Sequence, residues 1–284
     1  VVGVDVLGFK NAEMESVTIT SSMTIIYERA FSNCMNLREV IFEEESNLKT
    51  IESYAFGWNG GVLETITLPK SVEVVGATAF GDQIKSVFVD EENPFLRSVD
   101  GVLYSKDKTR LILYPSQKEG EEYVILNTVK TIQGDAFFKN NFLKKIVFPK
   151  DMEVIDAEFH IIYSCDSLEK IVFPENLKQV RRLLSGCENL KWLEIPNGVE
   201  KIEVFRATES EVFYVIPDSV TNMDSSALET CTVYYKGSKE EWNKIEFVAL
   251  STFEGTVYFY SEDEPKEEGN FWHYNSAGGI EIWE

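Results

Sequence analysis

LKKIVFPKDMEVIDAEF, residues 143–159, is followed 25 residues on by LEKIVFPENLKQVRRLL, residues 168–184. Both open on L-x-x-I-x-h-P, where h is a large apolar residue, then turn through a polar stretch into a second short apolar segment. LETITLPKSVEVVGATAF (63–80) and LKWLEIPNGVEKIEVF (190–205) repeat the plan. Self-similarity at a period of about 20 to 30 residues marks a solenoid.

Two columns hold the register. The apolar residue of the second segment runs through Ile26, Ile51, Val75, Ile132, Ile155, Val180, Ile202 and Met223, in steps of 25, 24, 57, 23, 25, 22 and 21. The pairs Ala30-Phe31, Ala55-Phe56, Ala79-Phe80 and Ala136-Phe137 keep the same phase, with looser versions at Phe159, Leu184, Phe205 and Leu228. The step of 57 therefore holds one extra, modified coil.

L-x-x-I-x-h reads as a short strand whose alternate residues point inward. Leu143, Ile146 and Phe148 then face the core, while Lys145 and Val147 face out. Proline at 69, 149, 174, 196 and 217 has no N–H and a fixed φ, so it ends the strand and turns the chain. A coil of this size cannot bury its own apolar side and is stable only by stacking, which makes the strands parallel from coil to coil.

Within the modified coil, the apolar runs of FLRSVDGVLYSKDKTRLILYP (95–115) flank SKDKTR and predict a β-hairpin projecting from one edge. Beyond Met223 the pattern decays, as expected of a terminal coil that must shield its open edge. EDEPKEEG (262–269) reads as a charged linker, and FWHYNSAGGIEIW (271–283) as two strands around a turn. The expected organisation is a repeat body over 1–260 and a linker with a capping hairpin over 261–284.

The combination of L-x-x-I-x-h-P, V-x-x-I-x-x-x-A-F and a following Cys or Asn resembles the BspA-like leucine-rich repeats of bacterial surface proteins. It spans residues 15 to 260, and NPFLRSVDGVLYSKDKTRLILYP and VYYKGSKEEWNKI resemble further blocks of that family. The resemblance implies an α/β-type leucine-rich-repeat solenoid, predominantly β, with a parallel strand ladder on one face and irregular or short helical or strand segments on the return side. It also implies a secreted or surface-exposed protein of bacteria, or of some parasitic protists, that takes part in adhesion to host or matrix proteins. It implies no enzymatic activity. FHIIYSC (159–165) and RRLLSGC (181–187) depart from the pattern by losing the Ala-Phe pair.

Composition agrees with a large folded core, since 44% of the 284 residues are hydrophobic. Forty-eight acidic against 27 basic residues give a formal charge of -21, which disfavours nucleic acid and anionic lipid as partners. No apolar run approaches the ~20 residues of a membrane span, so direct membrane insertion is not expected. The start at Val1, without Met, reads as a mature or trimmed piece whose leader or anchor would be invisible.

No catalytic motif is present: HExxH, GxSxG, a P-loop and GxGxxG are all missing, and the only histidines are His160 and His273. No cofactor and no metal are expected. Cys34, Cys165, Cys187 and Cys231 lack paired spacing for zinc. Cys165 and Cys187 share a repeat phase, which allows a bridge or, alternatively, two small buried hydrophobes. DEEN (90–93) fits no standard calcium loop and reads as a solvated turn. Trp272, Tyr274 and Trp283 suit either a sugar platform or the packing of a small hairpin, the latter requiring nothing more.

The outward strand positions carry the binding expectation. The middle outward residues are Ile41, Thr67, Phe88, Val147, Val172 and Glu194; two residues earlier stand Glu39, Thr65, Ser86, Lys145, Lys170 and Trp192. A contiguous apolar stripe on a soluble surface marks a contact site, although β-branched residues suit strands whether exposed or not. Phe88, Val147, Val172 and Trp192 are the expected anchors, and Lys145 and Lys170 the steering charges. The partner class is host, extracellular-matrix or other cell-surface proteins. The alternative is a spacer within a larger surface protein.

Overall fold

A computed structural model describes residues 3–57, 62–203, 212–224, 231–248 and 255–283. The chain winds into stacked coils built almost entirely of short strands. Three ladders run along the stack. The front ladder contains the L-x-x-I-x-h segments, among them Glu39–Phe42, Thr65–Leu68, Lys145–Val147 and Lys170–Val172. A flank ladder joins the second segments, with Ile26 paired to Ile51 and Ile51 to Val75, then Ile155 to Val180 and Val180 to Ile202. All of these pairings are parallel.

The third ladder forms at the Ala-Phe corner. Phe31 N–H donates to Ala55 O at 2.8 Å and Phe56 N–H to Ala79 O at 2.7 Å, tying each coil to the next. Those bonds help hold the preceding residues Arg29, Tyr54, Thr78 and Asp135 at φ between 50° and 57°, a left-handed conformation uncommon outside glycine. Behind them the rings of Phe9, Phe31, Phe56 and Phe80 stack at centroid spacings of 5.3, 5.1 and 6.1 Å, within the range of favourable aromatic pairs. The alanine is dictated by space, because all three alanines before these phenylalanines are fully buried.

Where the Ala-Phe pair is lost, the corner survives with other apolar residues. Phe137 pairs with Ile162, and Ile162 with Leu184. Phe159 does not take the phenylalanine position: it is 54% exposed, and Ile162 fills the place instead. The loop from Ile155 to Ile162 is two residues longer than that from Ile132 to Phe137, and Phe159 lies on the added length. Phe205 and Leu228 lie outside the described residues.

The modified coil also differs from the expected projection. Val102–Ser105 and Arg110–Leu113 do form an antiparallel hairpin with a bulge, and Leu96–Val99 adds a third antiparallel strand. The hairpin stands inside the stack, however. Leu103, Ile112 and Leu113 face the core of the N-terminal coils, whereas Val102, Tyr104, Leu111 and Tyr114 face that of the C-terminal coils. A strand buried on both sides reads as a continuous apolar run, which is what VLY and LILY are. Leu111 then pairs in parallel with Ile132, returning the chain to the flank ladder.

Two buried asparagines clamp the corners that follow proline. Asn140 donates from Nδ2 to Pro115 O and Lys118 O, both at 3.0 Å, and accepts at Oδ1 from the N–H groups of Phe142 and Leu143 at 3.0 and 2.9 Å. Asn93 makes the same four bonds, to Pro69 O, Val72 O, Phe95 N and Leu96 N. Cys165 and Cys187 stand in the equivalent place, three residues before a buried leucine, and all four cysteines are free thiols. After the last repeat, SKEEW closes one helical turn, Lys239–Trp242, under a Ser238–Glu241 capping box.

Candidate functional site

The parallel register sets the outward residues of the front ladder in rows. Glu122, Lys145 and Lys170 form one row, and Val124, Val147 and Val172 the next. Further along, Trp192, Phe213 and Thr232 continue the first row, and Glu194, Val215 and Tyr234 the second. The inward partners Ile146, Ile171 and Leu193 are buried. In the N-terminal coils the same face presents Glu39, Ile41, Thr65, Thr67, Ser86 and Phe88, of which Ile41 and Phe88 are exposed large apolar groups.

Most charges on this face are paired at home. Lys144 Nζ lies 2.6 Å from Glu121 and Lys145 Nζ 3.0 Å from Glu122. The Lys144 ammonium is held above its ordinary value by Glu121. Among the described residues Lys170 is exposed and makes no ion pair.

Lys170 stands at a break in the ladder. Lys170–Val172 pairs with Lys145–Val147, and Trp192–Glu194 with Phe213–Ile216, yet among the described residues no backbone hydrogen bond joins these two sheets. A groove of about 590 Å³ opens there, lined by Lys170, Val172, Phe173, Trp192, Glu194 and Lys236 among others. Its far wall is neutralised, since Lys236 Nζ sits 2.7 Å from Glu194 Oε1. A second hollow, of about 730 Å³, lies beside Phe88 and is lined by Asp90, Arg97, Asp100 and Lys106.

The structure thus brings Lys170, Val172 and Trp192 together at one groove, places Lys145 and Val147 one strand away, and leaves Phe88 at a separate hollow. Trp192 is half-buried, packed against Val215, Tyr234 and Trp272. The cover there is the chain's own tail. Phe271–Tyr274 adds to Thr256–Tyr260 as the next parallel strand of the same sheet and pairs antiparallel with Ile280–Ile282, and its side chains pack with outward residues of the last coils. Trp272 is fully buried, its indole N–H donating to Tyr235 O at 3.0 Å, and Tyr274 donates its hydroxyl to Glu194 at 3.1 Å. Burial first, and then the Glu194 charge, push the Tyr274 hydroxyl well above its ordinary value. The aromatic residues of the tail are therefore packing groups in this structure, with His273 stacked on Trp283 at 4.0 Å.

The remaining polar candidates are spent on structure. Asp90 accepts from the Glu92 N–H at 2.8 Å, Asn93 is engaged as above, and among the described residues no group of three or more His, Cys, Asp or Glu side chains is placed to hold a metal. Asp135 is pushed up to about 6 by burial at its left-handed corner. The row residues missed by sequence reading are Glu122 and Val124, because their strand lacks the trailing proline; YVIL at 123–126 was their only signal. Among the described residues no helix is long and apolar enough to cross a membrane.

The model of the BspA type leucine rich repeat region matches residues 6–103 and 114–234 in six copies. Among solved structures, a leucine rich cell surface protein from Faecalibacterium prausnitzii A2-165 is 28% identical with a TM-score of 0.68, over 82% of this chain and 62% of that one. This chain thus spans less than two thirds of that relative's length. The pneumococcal vaccine antigen PcpA is 26% identical with a TM-score of 0.61, over 84% of this chain and 69% of its own. No curated protein matches the sequence. With parallel coils, a buried Ala-Phe corner and a family match over most of its length, the chain belongs to the BspA-type leucine-rich repeat family.

Proposed function

We propose that the chain is a non-enzymatic binding module, displayed outside a bacterial cell, that recognises a host, matrix or cell-surface protein through the outward face of its front ladder. One observation carries this reading: side by side on adjacent strands, Val124, Val147 and Val172 form an outward apolar row, with Val124 57% exposed and Val147 and Val172 half-buried. Exposed apolar stripes of this kind mark contact surfaces. The Faecalibacterium relative, described as a cell surface protein, supports the location. Phe88, Val147, Val172 and Trp192 are the proposed anchors, and Lys145 and Lys170 the steering charges.

The test is surface-plasmon kinetics of the chain over immobilised matrix and host-surface proteins. Saturable binding that falls on substitution of Phe88 or Val172 supports the reading. Binding that no outward substitution alters would refute it and favour a spacer, a role to which the internally paired Lys144–Glu121 and Lys145–Glu122 surface is also suited.

A further inference from the structure

Resting on the strand face as the binding surface, we propose that Val124, Val147, Val172 and Lys170 form a site for an extended acidic-apolar peptide segment of a partner protein, with apolar side chains along the valine row and a carboxylate on Lys170. The charge pattern selects this occupant. In the row Glu122, Lys145, Lys170, the first two neutralise one another at 3.0 Å, so one cation is left over, and it stands at the groove end of the valines. Like charges directly opposite on neighbouring strands are unfavourable; Glu122 relieves Lys145, and Lys170 has no counter-ion among the described residues.

The length also fits. Two strand spacings of about 4.8 Å place Val124 roughly 10 Å from Val172; in an extended chain at about 3.3 Å per residue, side chains i and i+2 face the valines and that of i+4, about 13 Å on, reaches past Val172 to the groove. Its far wall offers no competing charge, because Lys236, Glu194 and the Tyr274 hydroxyl satisfy one another. The chain itself shows that outward residues of this face accept apolar cover: in the last coils Trp272 and Tyr274, from the strand that follows Thr256–Tyr260 in the same sheet, pack with Val215 and Tyr234, and Tyr274 is bonded to Glu194. There an aromatic strand meets an acidic row position. At Lys170 the matching group is an acid.

Fluorescence polarisation with two labelled heptapeptides tests the site: Gly-Leu-Ser-Leu-Ser-Asp-Gly amide, which sets both leucines and the aspartate on one face, and the same peptide with Asn for Asp. The intact chain should bind the Asp probe about threefold more tightly, the scale of an ion pair at an exposed lysine. Lys170→Glu should abolish that preference. Val124→Ser should weaken both probes about threefold and leave their ratio unchanged. Both side chains are exposed, so circular dichroism should match the wild type in each variant. A preference that survives Lys170→Glu, or failure of both probes to bind the wild type, overturns the proposal. Loss of probe binding on Phe88→Ala instead, with Lys170→Glu neutral, overturns the site while sparing the strand face. Binding indifferent to every outward substitution sinks both.

Discussion

Replacing Asn140 by Ala should destabilise the chain by about 4 kcal/mol. The side chain is fully buried and makes four hydrogen bonds of 2.9–3.0 Å, all to backbone groups, on both sides of a coil junction. A buried bond contributes roughly 0.5–1.5 kcal/mol net, so four give about 2–6 kcal/mol. The upper half applies here, because alanine strands two carbonyls and two N–H groups rather than removing both partners of any bond. For a chain of this size, 4 kcal/mol corresponds to a fall in melting temperature of roughly 7 °C. Asn140→Asp sharpens the test. It keeps the acceptor for Phe142 and Leu143, but sets a carboxylate oxygen against the carbonyls of Pro115 and Lys118, so at pH 7 it should be no better than alanine. Acidification should then recover part of the loss by restoring one donor. Asn141→Ala, which removes a bond to the exposed Asp166 N–H, is the control and should cost under about 1 kcal/mol. Urea denaturation followed by circular dichroism reads all three. An Asn140→Ala protein within about 1 kcal/mol of wild type would refute the clamp.

Asp135 is pushed up to about 6, so the stability it contributes is complete below its unfolded value near ~3.9 and is lost as pH rises through about 6. Asp135→Asn should therefore raise the melting temperature at pH 7.5 and lose most of that advantage by pH 4; an equal gain at both would exclude ionisation as the cause. Thiol titration of the unfolded, unreduced chain should return four free thiols, with two indicating a 165–187 bridge. In the folded chain Cys187, pushed up to about 11 by burial, should react slowly with a thiolate-selective reagent at pH 7.5. Trp272→Ala empties a fully buried indole site and should cost about 3–5 kcal/mol, measured by urea melts; a neutral result would mean the tail does not pack on the last coils. Lys170→Glu should slow association with whichever protein the wild type captures and flatten its salt dependence, without altering thermal stability.

The repeat was legible because one chemical need recurs in each coil. Ile26, Ile51, Val75 and their successors keep one phase since each must meet the next across a ladder, and proline marks where each front strand stops. Length alone does not show depth. VLY and LILY read as the two arms of a surface hairpin, yet their unbroken apolar character belongs to strands that separate two cores. Phe159 looked like the corner residue from its type, but two inserted residues carried it to the surface. The front-face residues were legible as outward by alternation alone. Which of them compete with the chain's own tail was not, because the bond from Tyr274 to Glu194 links positions 80 residues apart.

The rows on the front face behave as a written count. Within each paired run a coil adds one place to each row at a pitch of about 4.8 Å, so gaining or losing a whole coil of 21 to 25 residues lengthens or shortens the valine row by one step and leaves the phase of the other rows intact. A shift of one residue within a strand would instead turn Val147 inward and Ile146 out. Adding or removing a whole coil would thereby change the reach of the surface in whole units while each corner keeps its shape.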